Sequence, residues 1–329
     1  MKPVDRMLPG SASTAAAVGG ELQTTSMIFL SAALCIAVIF WPTIQSMVDV
    51  WGSSRTFAHG FLVLPVVGYL VWSFRHEVLS LMPAPSAMGV LALLVMATVW
   101  AGARLANVLW LQQAAVVAFL PGLVWTIFGT EIVRRLAWPL GFLVFLLPVG
   151  TSLEPWLQDI TAWLILRGLD LSGISYVYQG RFITVGPAVW EVAPDCGGLR
   201  YLLPGLSLAY AFAVLTYREP ARRLLFLAFC AGALMIANGI RAYGIIVGNH
   251  VGIASGADHR LFSYTIYGLT MPCLFWFGLK WKQRPDAATG ILPEASDRFD
   301  ARKAMFASVI GVGGLFLARL SVWFLSGSF

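Results

Sequence analysis

The sequence predicts an all-α polytopic membrane protein with about eight or nine transmembrane helices. Hydrophobic residues make up 58% of its 329 residues and charged residues only 12%, whereas soluble domains carry about 25% charged residues. Apolar segments long enough to cross a hydrocarbon core of about 30 Å recur along most of the chain. Lys and Arg are also more abundant on one of the two sides that these segments define, as expected when cytoplasmic loops are positively charged.

Nine candidate spans follow one another along the chain. They cover approximately residues 27–47, 60–74, 87–103, 112–129, 136–150, 199–217, 224–247, 261–280 and 305–325. The second and the fifth are short, so eight spans are the alternative to nine. With the N-terminus inside, 14 of the 22 Lys and Arg residues fall on the cytoplasmic side. The predicted organisation is a polar cytoplasmic tail (1–26), a multi-pass membrane domain (27–282), a cytoplasmic linker (283–304) and a C-terminal transmembrane helix (305–329).

The longest segment between spans, residues 151–198, is predicted to lie on the outer face. Ser152-Leu-Glu-Pro155 indicates a helix start, and residues 156–170 are too polar to span, which favours an interfacial helix. Small β elements follow it. The predicted strands are 174–178, 181–185 and 188–192, separated by turns at Gln179-Gly180 and Gly186-Pro187.

Charge and cysteine content exclude several classes of function. The net charge of +6 forms no basic stripe with interleaved aromatic residues, so it predicts cytoplasmic loops and not nucleic-acid binding. The four cysteines form no CxxC pair and no metal-like cluster with histidine, and three of them lie in predicted spans, so neither a metal site nor a disulfide framework is predicted. Cys35, Cys230 and Cys273 lie inside apolar runs, where a thiol is a small buried hydrophobe. Cys196 alone lies outside them.

Cys196 follows Pro194-Asp195 and precedes two glycines at the start of an apolar segment, so its thiol could act as a nucleophile at the membrane surface. If Asp195 caps the helix of that segment, Cys196 falls in the first turn, where the helix dipole favours a thiolate. Arg200 would add positive potential one turn later. The alternative is that Cys196 is an inert interfacial thiol and Asp195 only a cap.

The topology predicts which residues can meet Cys196. Arg241 lies in the outer half of the next span, and Asp258-His259 lies in the outer loop that follows. A cysteine nucleophile needs a proton carrier and a donor for the developing oxyanion, and a histidine and an arginine supply these. Alternatively, Arg241 pairs with a lipid phosphate or a backbone carbonyl. The spacing does not choose among His59, His250 and His259, which are all predicted on the outer side.

Four short motifs, in this order, resemble the exosortase/archaeosortase family of multi-pass membrane cysteine transpeptidases, over residues 51–280. His59-Gly60 and the apolar residues after it resemble a segment near the N-terminal end of the family. Cys196-Gly-Gly-Leu-Arg200 resembles its Cys-Ser-Gly-Leu-Arg stretch, with Gly197 in place of the serine. Asn238-Gly-Ile-Arg241 matches its Asn-x-x-Arg element.

The fourth motif contains the histidine. Gly256-Ala-Asp-His259 resembles the downstream histidine region of the family, with Ser263 where the family often has glycine. The resemblance implies that Cys196 is the nucleophile, Arg241 the arginine and His259 the histidine of the site. The possible supporting residues are Asp195, Arg200, Asn238, Asp258 and His59.

The resemblance also implies a substrate and a reaction. The substrates would be exported proteins with a C-terminal transmembrane sorting signal, a PEP-CTERM-like tail, cleaved through a thioacyl-enzyme and transferred to an acceptor nucleophile. The protein would lie in the inner membrane, with its active site on the outer or periplasmic face. It would contact membrane lipid and would need no cofactor. Two alternatives stay open: a non-enzymatic transporter or channel for a cell-envelope component, and a protease with water as acceptor.

Overall fold

The computed structural model describes the backbone of residues 11–81, 83–252 and 258–282. These residues fall into two compact units, one ending at Ser152 and the other beginning at Leu153. The helices of the first unit are α1 (Ser11–Ile39), α2 (Trp41–Ser53), α3 (Gly60–Ser73), α4 (Arg75–Leu79), α5 (Ala87–Leu105), α6 (Leu109–Phe128), α7 (Thr130–Arg135) and α8 (Ala137–Gly141), with a 3-10 helix at Phe142–Leu146. A second 3-10 helix, Thr151–Leu153, contains the boundary between the units.

Helices α5 and α6 form the main antiparallel pair of the first unit. They approach closely at Gly89, where a Cβ atom would lie 2.4 Å from the backbone nitrogen of Thr126. Small residues allow such contacts between apolar helices, whose association depends on close packing in lipid. Elsewhere in this unit, the indole nitrogen of Trp51 donates a buried hydrogen bond to the carbonyl of Leu146 over 3.0 Å. The first unit is therefore held together by helix packing and a few buried polar contacts.

The second unit contains a three-stranded sheet and four longer helices. Its elements are α9 (Glu154–Leu171), β1 (Val177–Gln179), β2 (Phe182–Val185), β3 (Ala188–Glu191), a 3-10 turn (Pro194–Cys196), α10 (Leu199–Thr216), α11 (Pro220–His250) and α12 (Asp258–Lys280). Helix α9 packs on α11, and Gly239 allows this because a Cβ there would lie 2.6 Å from the Leu164 side chain. The predicted helix start is confirmed, with Pro155 in the first turn of α9.

The sheet is an antiparallel meander in the order β1-β2-β3. Both connections are two-residue turns that begin with a glycine at positive φ, +62° at Gly180 and +56° at Gly186, as type II′ hairpins require. The three predicted strands are therefore confirmed, with different bounds. The first begins three residues later because the amide of Ile174 donates to the carbonyl of Leu169 and closes the end of α9. The position of α9 at a membrane interface stays a prediction.

The chain is a helical multi-pass membrane protein, but the predicted eight or nine spans are not confirmed. The described residues contain four helices long and apolar enough to cross a membrane, namely α5, α6, α10 and α11, or up to six spans if each of two bent helix pairs counts as one. The segment at 60–74 forms α3, whose 14 residues extend about 21 Å. The segment at 136–150 is divided between a short α-helix and a 3-10 helix. The candidate at 305–325 lies outside the described residues.

Candidate active site

Cys196 ends a 3-10 turn and does not belong to the helix that follows it. Helix α10 begins at Leu199, and its N-cap is Gly198, with φ +89° and ψ −2°. The prediction that Asp195 caps this helix and that Cys196 lies in its first turn is therefore wrong. The reason is steric, because a Cβ at Gly198 would lie 2.7 Å from Nδ2 of Asn238, so this left-handed position accepts only glycine.

Gly197, at the position where the family has a serine, packs closely against Gln158. Gly197 is buried, and a Cβ there would lie 3.3 Å from both Cγ and the backbone nitrogen of Gln158. The side chain of Gln158 is held in place, because it donates to the carbonyl of Val192 over 2.8 Å and accepts from Arg181. The glycine at this position is thus matched to the packing of α9 against the Cys196 turn.

Cys196 and Arg241 line one cavity of about 240 Å³ in the second unit. Cys196 is half-buried and Arg241 is buried. The wall is otherwise mainly aliphatic and aromatic, and Arg200 and Glu191 also contribute to it. Two residues that are distant in the sequence therefore line a single cavity, as the topology predicted.

Asn238 connects the cysteine turn to the arginine. Its Nδ2 donates to the carbonyl of Cys196 over 2.8 Å and to Oγ1 of Thr161 over 3.0 Å. Its Oδ1 accepts from Nε of Arg241 over 3.3 Å and from the hydroxyl of Tyr267 over 3.0 Å. One buried amide thus fixes the backbone of Cys196, the guanidinium of Arg241 and the helices α9 and α12 relative to one another.

The guanidinium of Arg241 retains one free donor. Nη1 donates to Oγ of Ser263 over 3.4 Å, and the group lies 5.6 Å from the centre of the Tyr201 ring. Nη2 is buried and has no hydrogen-bond partner among the described residues. A buried N–H group without a partner is costly, which favours a ligand that accepts a hydrogen bond there. A thiol and a free guanidinium donor in one cavity can attack an acyl carbon and stabilise the oxyanion that forms.

Tyr201 supports both cavity arginines. Its ring stacks on that of Tyr267 with centroids 3.8 Å apart, and its hydroxyl accepts from Arg200 over 3.3 Å. The Arg200 guanidinium lies 5.2 Å from the centre of the same ring. Aromatic faces attract cations, so the tyrosine stack holds two positive charges next to the cavity of Cys196. Their potential can stabilise an oxyanion that forms in the cavity.

The histidines lie in three different places. The backbone of His259 belongs to the first turn of α12, one turn before Ser263 in the cavity wall, but its side chain and that of Asp258 are outside the described part. His250 ends α11, where its Nδ1 would lie 3.6 Å from a Cβ at Gly186, beside the β2–β3 turn. His59 belongs to the first unit, where its Nδ1 lies 3.2 Å from the carbonyl of Thr56 and burial lowers its pKa below the ordinary 6.5.

Sequence reasoning missed four residues of this network: Gln158, Thr161, Tyr201 and Tyr267. For two of them the sequence carries a signal. Gln158 and Thr161 share the buried face of α9 with Leu157, Ile165 and Leu169, at helical spacing. Polar residues on the apolar face of a helix need buried partners, which indicates a hydrogen-bonded network.

Comparison with known proteins identifies a family for this chain. The family model described as Transmembrane exosortase (Exosortase_EpsH) matches residues 51–276, more than two thirds of the sequence. No curated protein and no solved structure matches the chain. The matched segment includes Cys196, Asn238, Arg241 and His259, the residues on which the resemblance in the sequence depends. The chain therefore belongs to the transmembrane exosortase family.

Proposed function

We propose that this protein is a membrane-embedded cysteine transpeptidase that cleaves the C-terminal sorting tail of exported proteins. The main supporting observation is the shared cavity, in which the thiol of Cys196 lies with a buried Arg241 whose Nη2 has no partner among the described residues. Membership of the exosortase family supports the reaction class and the exported substrates. The active site would face the outer side of the inner membrane, as the distribution of basic residues predicts.

The reaction would begin when Sγ of Cys196 attacks the scissile carbonyl carbon and forms a C–S bond. The carbonyl oxygen would become an oxyanion that accepts a hydrogen bond from Nη2 of Arg241, the buried donor that lacks a partner. His259 would take the thiol proton and give it to the leaving nitrogen as the C–N bond breaks. The remaining product is a thioester between Cys196 and the body of the substrate.

An acceptor nucleophile would then attack the thioester and release the substrate from the enzyme. Its proton would pass through His259 to the departing sulfur, which restores the thiol and balances the cycle. A hydroxyl or amine acceptor gives transfer, and water gives hydrolysis. The transmembrane helix of the tail would hold the scissile bond at the depth of the cavity, so that lateral diffusion in the bilayer brings the two together.

The direct test follows processing of a co-expressed reporter that carries a candidate tail of a short motif, a transmembrane helix and basic residues. We expect Cys196→Ala to abolish processing, while the control Cys230→Ala, at a core cysteine, retains it. Arg241→Gln should lower kcat by about 10²–10³-fold, the effect of losing one oxyanion donor. Normal processing by a stably inserted Cys196→Ala variant would refute the cysteine mechanism and leave a transporter or channel as the better hypothesis.

Two further measurements define the cycle. A hydroxylamine-sensitive adduct of reporter and enzyme that depends on Cys196 would identify the thioacyl intermediate. Alanine variants at His59, His250 and His259 compare the three histidines, and we expect only His259→Ala to stop processing. If His259 alone is dispensable, its assignment as the proton carrier is wrong.

A further inference from the structure

Strand β3 is an edge strand that leads to Cys196. The sheet order β1-β2-β3 leaves one side of β3 without a strand partner among the described residues. Four residues separate the end of β3 at Glu191 from Cys196, and the chain after β3 remains beside the sheet at Val192, whose amide donates to the carbonyl of Arg181. The strand at the free edge of the sheet therefore leads along the chain directly to the turn that contains Cys196.

The register determines which backbone groups of β3 face the open side. The bond from Val192 to Arg181 makes this a hydrogen-bonded pair, so the pairs Trp190–Ile183 and Ala188–Val185 also bond across the hairpin. The N–H and C=O groups of the alternate residues, Val189 and Glu191, therefore point away from β2. Both side chains are exposed, and the structure gives neither residue a backbone partner on that side among the described residues.

The cavity of Cys196 lies along this edge. Trp190, Glu191 and Val192 all line it, together with Cys196. Trp190 and Glu191 are neighbours in β3 and direct their side chains to opposite faces of the sheet, so a cavity that both residues line extends around the edge of the strand. The unpaired backbone groups of β3 and the thiol therefore share one continuous surface.

We propose that the segment of the substrate around its scissile bond binds in extended form along β3, as a fourth strand of the sheet. Its backbone would pair with the N–H and C=O groups of Val189 and Glu191, and the next residues would enter the cavity and present a carbonyl to Cys196. Backbone pairing with a sheet edge is sequence-tolerant, and alternate side chains of the added strand confer selectivity. The occupant is a peptide because the surface is continuous with the nucleophile. The inference rests on the proposed function.

Proline substitutions test the pairing because proline removes an N–H donor and is tolerated where that donor points out of a sheet. Val189→Pro and Glu191→Pro remove the two donors of the open β3 edge. The matched control is Tyr178→Pro, since the pairing of Tyr178 with Ile183 places its N–H at the opposite open edge, on β1. Glu191→Ala measures the effect of losing the carboxylate, so the further loss in Glu191→Pro measures the effect of losing the N–H.

With the reporter that the wild-type enzyme processes, Val189→Pro and Glu191→Pro should each lower kcat/KM by about 2- to 10-fold, chiefly through KM, because each loses one backbone hydrogen bond. Tyr178→Pro should stay near wild type, Glu191→Pro should lose more activity than Glu191→Ala, and alkylation of Cys196 should be unchanged in the three proline variants. Equal effects of prolines on the two edges would overturn the proposal.

A crosslinking experiment does not depend on catalysis or on tolerance of proline. A photoreactive residue replaces Val189 or, as the control, Tyr178 in the Cys196→Ala background, and the captured reporter is detected by its mass. Capture from position 189 and not from 178 supports strand addition. Equal capture from both, or none from 189, overturns it. Failure of the proposed function is separate, because it would appear as processing that persists in Cys196→Ala.

Discussion

Replacing Asn238 by Asp separates the two halves of the hydrogen-bond network around Cys196. Aspartate keeps the shape and the acceptor oxygens of asparagine, so it still accepts from Nε of Arg241 and from the Tyr267 hydroxyl. It loses both donated bonds, the 2.8 Å bond to the Cys196 carbonyl and the 3.0 Å bond to Thr161. The variant therefore releases the cysteine turn while the arginine remains held by an ion pair.

The size of the effect follows from the two lost bonds. A hydrogen bond of this kind contributes about 1 kcal/mol net, so losing both weakens the fixation of the Cys196 backbone by about 2 kcal/mol. The new carboxylate oxygen also faces the carbonyl of Cys196, which adds repulsion. If the turn must hold this position for Sγ to attack, 2 kcal/mol corresponds to a loss of about 30-fold in kcat. KM should change little, because Asn238 is not in the cavity wall.

The assay measures kcat and KM for reporter processing and the level of inserted protein. Thr161→Val is the matched control, since it removes one of the two bonds and leaves the bond to Cys196, and about a 5-fold loss is expected. Arg241 should keep its position in both variants. Wild-type kcat in Asn238→Asp, or an equal loss in Thr161→Val, would refute the view that Asn238 acts by fixing the Cys196 carbonyl.

Three other predictions follow from the described residues. Gly198→Ala should reduce both stability and processing. Gly252 also has a positive φ, but no described atom lies within 4 Å of its Cβ position, so Gly252→Ala should cost only the backbone strain of about 1–2 kcal/mol, and thermal melting of both variants measures the difference. In the solubilised protein a small maleimide should label Cys196 at the cavity and not the fully buried Cys230, and mass spectrometry that finds the reverse would contradict the cavity. Because burial lowers the pKa of His59, the unfolded chain binds the proton more readily, so the melting temperature should fall as the pH drops below about 6.5, and His59→Phe should remove this dependence.

The sheet and the meeting of Cys196 with Arg241 could be predicted from the sequence because both depend on local or topological rules. Gly180 and Gly186 indicate turns, and two-residue turns fix the register of the strands that they join. Successive spans cross the membrane in opposite directions, so the outer half of the span that contains Arg241 lies beside the start of the preceding span, next to Cys196. These rules need no knowledge of side-chain conformation.

The errors and omissions concern features that depend on tertiary contacts. Residue preference alone favours Asp195 as the N-cap of α10. The observed N-cap is Gly198, because the close approach of Asn238 requires a glycine at the start of the helix. The stacking of Tyr201 on Tyr267 joins two helices whose relative rotation no sequence pattern specifies. The predicted eight or nine spans are not confirmed among the described residues, since hydropathy alone cannot distinguish a full span from a short helix such as α3.

The surroundings of Arg241 favour a role in binding a ligand over a role in holding the helices together. An arginine within a membrane helix is costly, and a purely structural one would be expected to use all its donors. Here Nε and Nη1 have protein partners and the Tyr201 ring faces the guanidinium, yet Nη2 is buried without a partner among the described residues. The same side chain lines the cavity that contains Cys196. The guanidinium is held by Asn238, Ser263 and the Tyr201 ring, and Nη2 remains available as a donor. Such a group can bind a transient negative charge without moving, which is the requirement for an oxyanion donor.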